Sequence, residues 1–464
     1  MLVETEKRRD RTQRSTAVRA VVLLFLTETG SLAAQAPLAL ADTLARGRAG
    51  ARETVAANAR QRAAESRAKE ASGHRLPQIR ISEQWIRTDS PAEVFGMLLN
   101  QERFSFPDFV NGDPNDPDPL ETAITRFEVE LPIWTGGEIS NRVEQAKLAA
   151  EAAGAGATRA GDEAAVAAAE AWIRLAQARE TVALFEESRA TVAAHVELAR
   201  NYAAQGMIVR SDLLRAEVEL ARIDDLLAEA RGNARVAEAN LGYRLGEPIG
   251  TSYALGALDD PPPLSRSRED WIAASAGRDD LAGARQLLAA GELEAEARKG
   301  GLFPRIGVVG RYDLVDDELF GSNGDSTTVV ALASWELFDG GRRRASVAAA
   351  RAEAEAVHAD VERFAEGIRL EAQHAFETAI VALERRATAA AALASAAEAL
   401  RIVEERFRAG VIKTTDVLDA TTDRREAEMR ELSARAEAWL AQLRLSLAAG
   451  EAPESIFAPS TPNS

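Results

Sequence analysis

Cysteine is absent from the 464 residues. That excludes a disulfide framework, a thiolate metal site, a thiol nucleophile and an acyl anchor on an N-terminal cysteine. Histidine occurs four times (His74, His195, His358, His374), too scattered along the chain to suggest a ligand cluster. Aromatic residues make up 5%, low for a compact enzyme, and a net charge of −17 gives no support for nucleic-acid binding, which usually needs a basic face. Beyond the N-terminal segment no stretch approaches the roughly 18 uninterrupted apolar residues that a spanning helix needs, so any crossing of a membrane falls to strands. Enzyme motifs are missing as well: there is no P-loop, no nucleophile elbow and no histidine pair at metal spacing. "GAGATRAG" follows no strand and breaks the dinucleotide spacing. No catalytic residue, no metal and no cofactor are expected.

What is present is alanine, glutamate and arginine in abundance, a composition that favours long helices. The first 36 residues read as a targeting segment. "EKRRDRTQR" supplies a positive start, "AVRAVVLLFL" a short apolar run and "SLAAQA" a small-residue site for cleavage after Ala36. A frayed N-terminal helix is the alternative.

The rest of the chain repeats itself. Gly136 and Gly137 in "LPIWTGGE" lie 204 residues before Gly340 and Gly341 in "WELFDGGR". The same offset separates Gly206 from Gly410, Asp212 from Asp416 and Gly246 from Gly450. Pro77 and Pro304 are 227 apart, so 23 extra residues sit in the first half, around "FGMLLNQERFSFPDFVNGDPNDPDP". That stretch reads as a loop from its Pro, Asn, Asp and Gly.

Each half thus reads as strand, loop, strand, double glycine, long helix, glycine turn and shorter helix. No proline interrupts Pro132 to Pro248 or Pro304 to Pro453. Leu175, Val182, Phe185, Val192 and Val196 form a heptad-like seam, as do Val357, Val361, Phe364 and Ile368, with alanines that let helices approach closely. The expected layout is a targeting segment over 1–36, a first repeat over 37–248, a linker over 249–282, a second repeat over 283–450 and a flexible tail over 451–464. Strands are expected near 78–88, 124–134, 304–314 and 326–338. Helices are expected near 138–205, 210–245, 342–409 and 414–448 after an N-terminal helix.

The strands alternate. Phe127, Val129, Leu131 and Ile133 oppose Arg126, Glu128 and Glu130; Ile306, Val308, Tyr312 and Leu314 oppose Arg305, Arg311 and Asp313; Ile79, Ile81 and Trp85 oppose Arg80, Ser82 and Gln84. The fourth, "TTVVALASWELF", alternates poorly. Such a pattern fits an outer-membrane barrel strand, apolar side out, and equally a half-buried soluble sheet. Four strands cannot close a barrel, and lipid does not tolerate open edges, so a barrel needs several chains; three would give twelve strands.

Together "RLPQIRIS", "LPIWTGG", "WELFDGG" and "RFRAGVIKTTDVLDATTDRREAE", in this order and with this duplication, resemble the TolC family of outer-membrane efflux and secretion channels. The resemblance covers about Ala39 to Ala449. It implies an α+β, mostly α fold. A trimeric α-barrel of helical hairpins stands in the periplasm of a Gram-negative bacterium, continuous with a 12-stranded β-barrel in outer-membrane lipid. It implies an exit duct for small molecules or polypeptides, served by a periplasmic adaptor and an inner-membrane pump of the RND or ABC type. The turns at Gly206 and Gly410 would then be the tip that meets the adaptor, and Asp212, Asp416 and Asp419 would line the gate. Asp212 and Asp416 suit helix N-capping equally well. One family gate uses a tyrosine three residues before the glycine; Phe407 stands there in this chain and has no hydroxyl. The double glycines are expected only to turn strands into helices. A soluble periplasmic coiled-coil scaffold without a pore is the rival reading.

Overall fold

A computed structural model of the chain describes residues 37–409 and 411–457. The targeting segment expected over 1–36, the tip residue Gly410 and residues 458–464 lie outside the described residues.

Two helical hairpins dominate. In the first, α5 (Glu138–Ala204) runs down and α6 (Arg210–Leu245) returns; in the second, α9 (Arg342–Arg408) and α10 (Thr414–Ala449) do the same. The long legs have 67 residues each and the return legs 36, and every start and end is displaced by 204. At about 1.5 Å per residue each long leg spans ~100 Å. Nothing in the sequence stops them: proline is absent and alanine, with no side-chain entropy to lose, fills the interiors. Each long leg begins only where a glycine supplies a left-handed turn, Gly137 at φ 87° and Gly341 at φ 86°. A side chain there would be strained.

The return legs cover only the lower halves of the long ones. Higher up, α2 (Arg52–Gly73), which follows α1 (Leu40–Gly50), packs on α5, and α8 (Asp279–Gly300) packs on both α5 and α9. Leu175, Phe185, Val192 and Val196 of the α5 seam are buried accordingly, whereas Val357 and Phe364 of α9 stay exposed. They lie above the reach of α10, on a leg that among the described residues has only α8 beside it there. The main core sits at the waist, where Leu44 of α1, Trp172, Ile173 and Leu175 of α5, Leu241 of α6 and Leu443 of α10 meet. Residues 249–282 wrap this level rather than trailing past it. Arg179 Nη1 donates to Tyr253 O (2.7 Å), and Trp439 Nε1 donates to Asp259 O (2.7 Å). This stretch also holds a capped helix, α7 (Arg268–Ala274), and the start of α8.

The four strands form one antiparallel sheet in chain order: β1 (Gln78–Thr88), β2 (Leu120–Trp134), β3 (Arg305–Asp316) and β4 (Gly324–Ser334). The register pairs Ile79 with Val129, Ile81 with Phe127 and Phe127 with Tyr312, which puts them on one face. Arg80, Glu128 and Arg311 share the other.

Three expectations need correction. The fourth strand ends at Ser334, paired with Arg305 at the start of β3; with no partner beyond, Trp335 to Phe338 leave the ladder. The loop expected after β1 contains helices α3 (Pro91–Asn100) and α4 (Phe106–Asn111), because Pro91 suits a first turn and an apolar run follows it. The tail is no free end up to Phe457: a 3₁₀ turn, Pro453–Phe457, stacks Phe457 on Trp439 at 5.6 Å and joins Glu454 to Arg48 at 2.8 Å.

Candidate functional site

Two places in the fold carry exposed chemistry, the tips of the hairpins and the polar face of the sheet. At the first tip the chain reverses through Gly206, φ 72°. Met207 N donates to Tyr202 O (2.9 Å) and Gly206 N to Ala203 O (3.1 Å), a Schellman closure that satisfies the last carbonyls of α5. In the second tip Val411 N makes the corresponding bond to Arg406 O (3.0 Å). Asp212 and Asp416 occupy the third helical position of α6 and α10, where a carboxylate favours the helix dipole. Asp416 is a cap: its Oδ2 accepts the Lys413 backbone N–H at 3.1 Å. For Asp212 no corresponding cap bond is present among the described residues. Asp419, exposed one turn further on, has no side-chain hydrogen bond or ion pair among the described residues.

The tips stand side by side. Val192, Val196, Ala216 and Ile223 of the first hairpin form a small core onto which Leu418 of the second packs, between Asp416 and Asp419 in sequence. Among the arginines by which α10 reaches across to the first hairpin, the two nearest the tips are Arg425, to Glu219 at 3.0 Å, and Arg424, to Glu187 at 3.3 Å. Arg425 is buried. Sequence reasoning missed these pairs, since the partners lie 206 and 237 residues apart and no local motif marks them. His195, half-buried on α5 near this level, is held below its ordinary pKa by burial, against the pull of Glu404.

At the other end the double glycines join strand to helix, all four with positive φ. Gly136 packs so closely on the Gly300 carbonyl that a methyl group could not fit, while Gly340 and Gly341 face open space. The sheet's polar face carries a ladder across three strands, Arg80–Glu128 at 3.3 Å and Glu128–Arg311 at 2.7 Å, beside a two-pronged Arg126–Asp313 pair at 2.7 and 2.9 Å. The opposite face exposes Ile79, Ile81, Trp85 and Val329 at 53–75%. Among the described residues no helix is long and apolar enough to cross a membrane. An apolar outer face and a charged inner one is how a barrel strand divides lipid from water.

The model of the family described as outer membrane efflux protein matches residues 46–247 and 273–451, taking in both hairpins and all four strands. The chain belongs to the outer membrane efflux protein family. As a member of that family it is an outer-membrane exit duct of efflux systems and not an enzyme. No curated protein matches the chain. Solved structures share its fold. The open state of the MtrE outer membrane channel of Neisseria gonorrhoeae is 18% identical, with a TM-score of 0.74 over 89% of each chain. The outer-membrane channel OprN is 20% identical, with a TM-score of 0.73 over 89% of this chain and 90% of that one. The outer membrane protein VceC of Vibrio cholerae is 17% identical, with a TM-score of 0.72 over 89% of this chain and 96% of that one.

Proposed function

We propose that this efflux protein works as a homotrimer. Three four-stranded sheets close a twelve-stranded barrel in outer-membrane lipid, and the hairpins close a helical tube beneath it. One observation carries this reading: sheet and helices end in the same unfinished order. Among the described residues the sheet runs β1 to β4 with both edges open, and the upper helical layer runs α2, α5, α8, α9 with α9 bare on its far side. A neighbour placed so that its β1 pairs with β4 also brings its α2 to α9. That is a head-to-tail interface, which closes into a ring when the rotation allows. Lipid accepts the sheet only once its edges are paired.

In that trimer Asp416 and Asp419 become rings of carboxylates at the tip, with Asp212 beside them, and such rings constrict a pore and favour cations. The hairpin tips, with Gly206 in the first, meet a periplasmic adaptor, and an inner-membrane pump of the RND or ABC type supplies the energy. The test is subunit number. Detergent-extracted protein measured by light scattering and native electrophoresis is expected to be a trimer that needs detergent. A detergent-independent monomer or dimer overturns the reading in favour of a soluble scaffold.

A further inference from the structure

The stretch between β1 and β2 does not stand clear of the sheet. Its helix α3 folds over the sheet's far end, on the charged face. Three observations place it there. Gln101, fully buried, donates through Nε2 to Thr122 Oγ1 (2.8 Å) and Glu121 O (3.1 Å), and its Oε1 accepts from Arg103 Nη1 (3.2 Å). Thr122 alternates with Ile124, Arg126 and Glu128, so it belongs to the polar face. Gly324, at the start of β4, pairs through Val315 with Ile124 and therefore points the same way. A methyl group at Gly324 would run into the Asn100 carbonyl, so the end of α3 crosses the sheet from the β1 edge to the β4 edge.

We propose that α3 is a second constriction of the duct, at the end opposite the helical tips, and that it limits the size of what leaves. The inference rests on the trimeric duct, in which the polar face lines the lumen. Three copies of α3 then stand inside the mouth, each tied down by Gln101 and by the close approach at Gly324. The helix presents Leu99, 47% exposed, to an aqueous passage. Apolar side chains brought together in a narrow pore resist wetting and hinder ions. The second half has no counterpart: β3 and β4 are joined by residues 317–323 alone.

The chain's lack of cysteine makes the test direct. Gly96 of α3 has open space where a side chain would stand, so Gly96→Cys carries the only thiol of the protein. The full trimer is placed in a planar lipid bilayer, and a bulky maleimide is added on the α3 side. Conductance is expected to fall by about two-fold or more, with wild type unaffected. Leu99→Cys serves if Gly96→Cys does not assemble. Unchanged conductance after labelling shown complete by mass overturns the constriction and leaves the duct standing. A wild-type protein that is no trimer and conducts nothing overturns both.

Discussion

Asp416 and Asp419 carry the same charge on successive turns of α10, but only Asp416 is engaged by the helix itself. The two roles assigned to the tip carboxylates therefore separate by substitution. Asp419→Ala is expected to raise single-channel conductance about two-fold and weaken cation preference, with hydrogen exchange at the tip unchanged. Asp416→Ala is expected to do both and also to fray the first turn of α10, by about 0.5–1 kcal/mol for a lost cap. If conductance and reversal potential stay unchanged in both variants, the aspartates serve only the helices. His195 adds a pH dependence of the opposite origin. Burial favours its neutral form, so its pKa in the fold lies below that of an ordinary histidine. A group depressed in this way contributes stability above that unfolded value and loses it as pH falls through the folded one. Thermal stability is expected to drop between pH 7 and pH 5, and His195→Gln to flatten that part of the profile.

At the scale of the element, the two halves are copies in length but not in how they are finished. Where α5 starts, Thr135 Oγ1 accepts the Ile139 N–H at 3.3 Å. Where α9 starts, Asp339 accepts three donors, Gly341 N (3.0 Å), Arg343 N (2.9 Å) and Arg343 Nε (2.8 Å). Those bonds, the Arg343 side chain first, hold the Asp339 carboxyl down to about 2. Its cap is complete above the ordinary carboxylate range and disappears only as pH falls through about 2. Asp339→Asn is thus expected to speed exchange at the first turn of α9 at neutral pH, and Thr135→Val to do less at α5. The helices and their repeat were legible in the sequence because they depend on local rules, glycine at positive φ and no proline between. The strand faces were legible from alternation, except in β4, where Val330 and Leu332 share the face of Thr328 and break the pattern. Helix α3 was hidden by the prolines and aspartates around it, which mark turns whatever lies between them. Arg425–Glu219 was beyond reach, since only the packing of two hairpins brings those residues together.

For the whole molecule the question is which side of the sheet faces lipid, and neighbouring residues of β4 answer it. Val329 pairs with Gly310 and lies on the face of Val129 and Ile79; Thr328 pairs with Arg311 and lies on the face of Glu128 and Arg80. Both are exposed in the single chain, so in a soluble sheet an arginine at either place would meet water and change little. In a membrane barrel the two sites differ. Val329→Arg puts a guanidinium into hydrocarbon, at a cost of about 2–4 kcal/mol near the midplane and three times over in a trimer. It is expected to reduce the fraction of folded trimer recovered from membranes. Thr328→Arg adds its charge to the lumen beside Glu128, so assembly is expected to persist while cation preference weakens. Equal recovery of the two variants as trimers would mean that the apolar face does not meet lipid, whatever the subunit number.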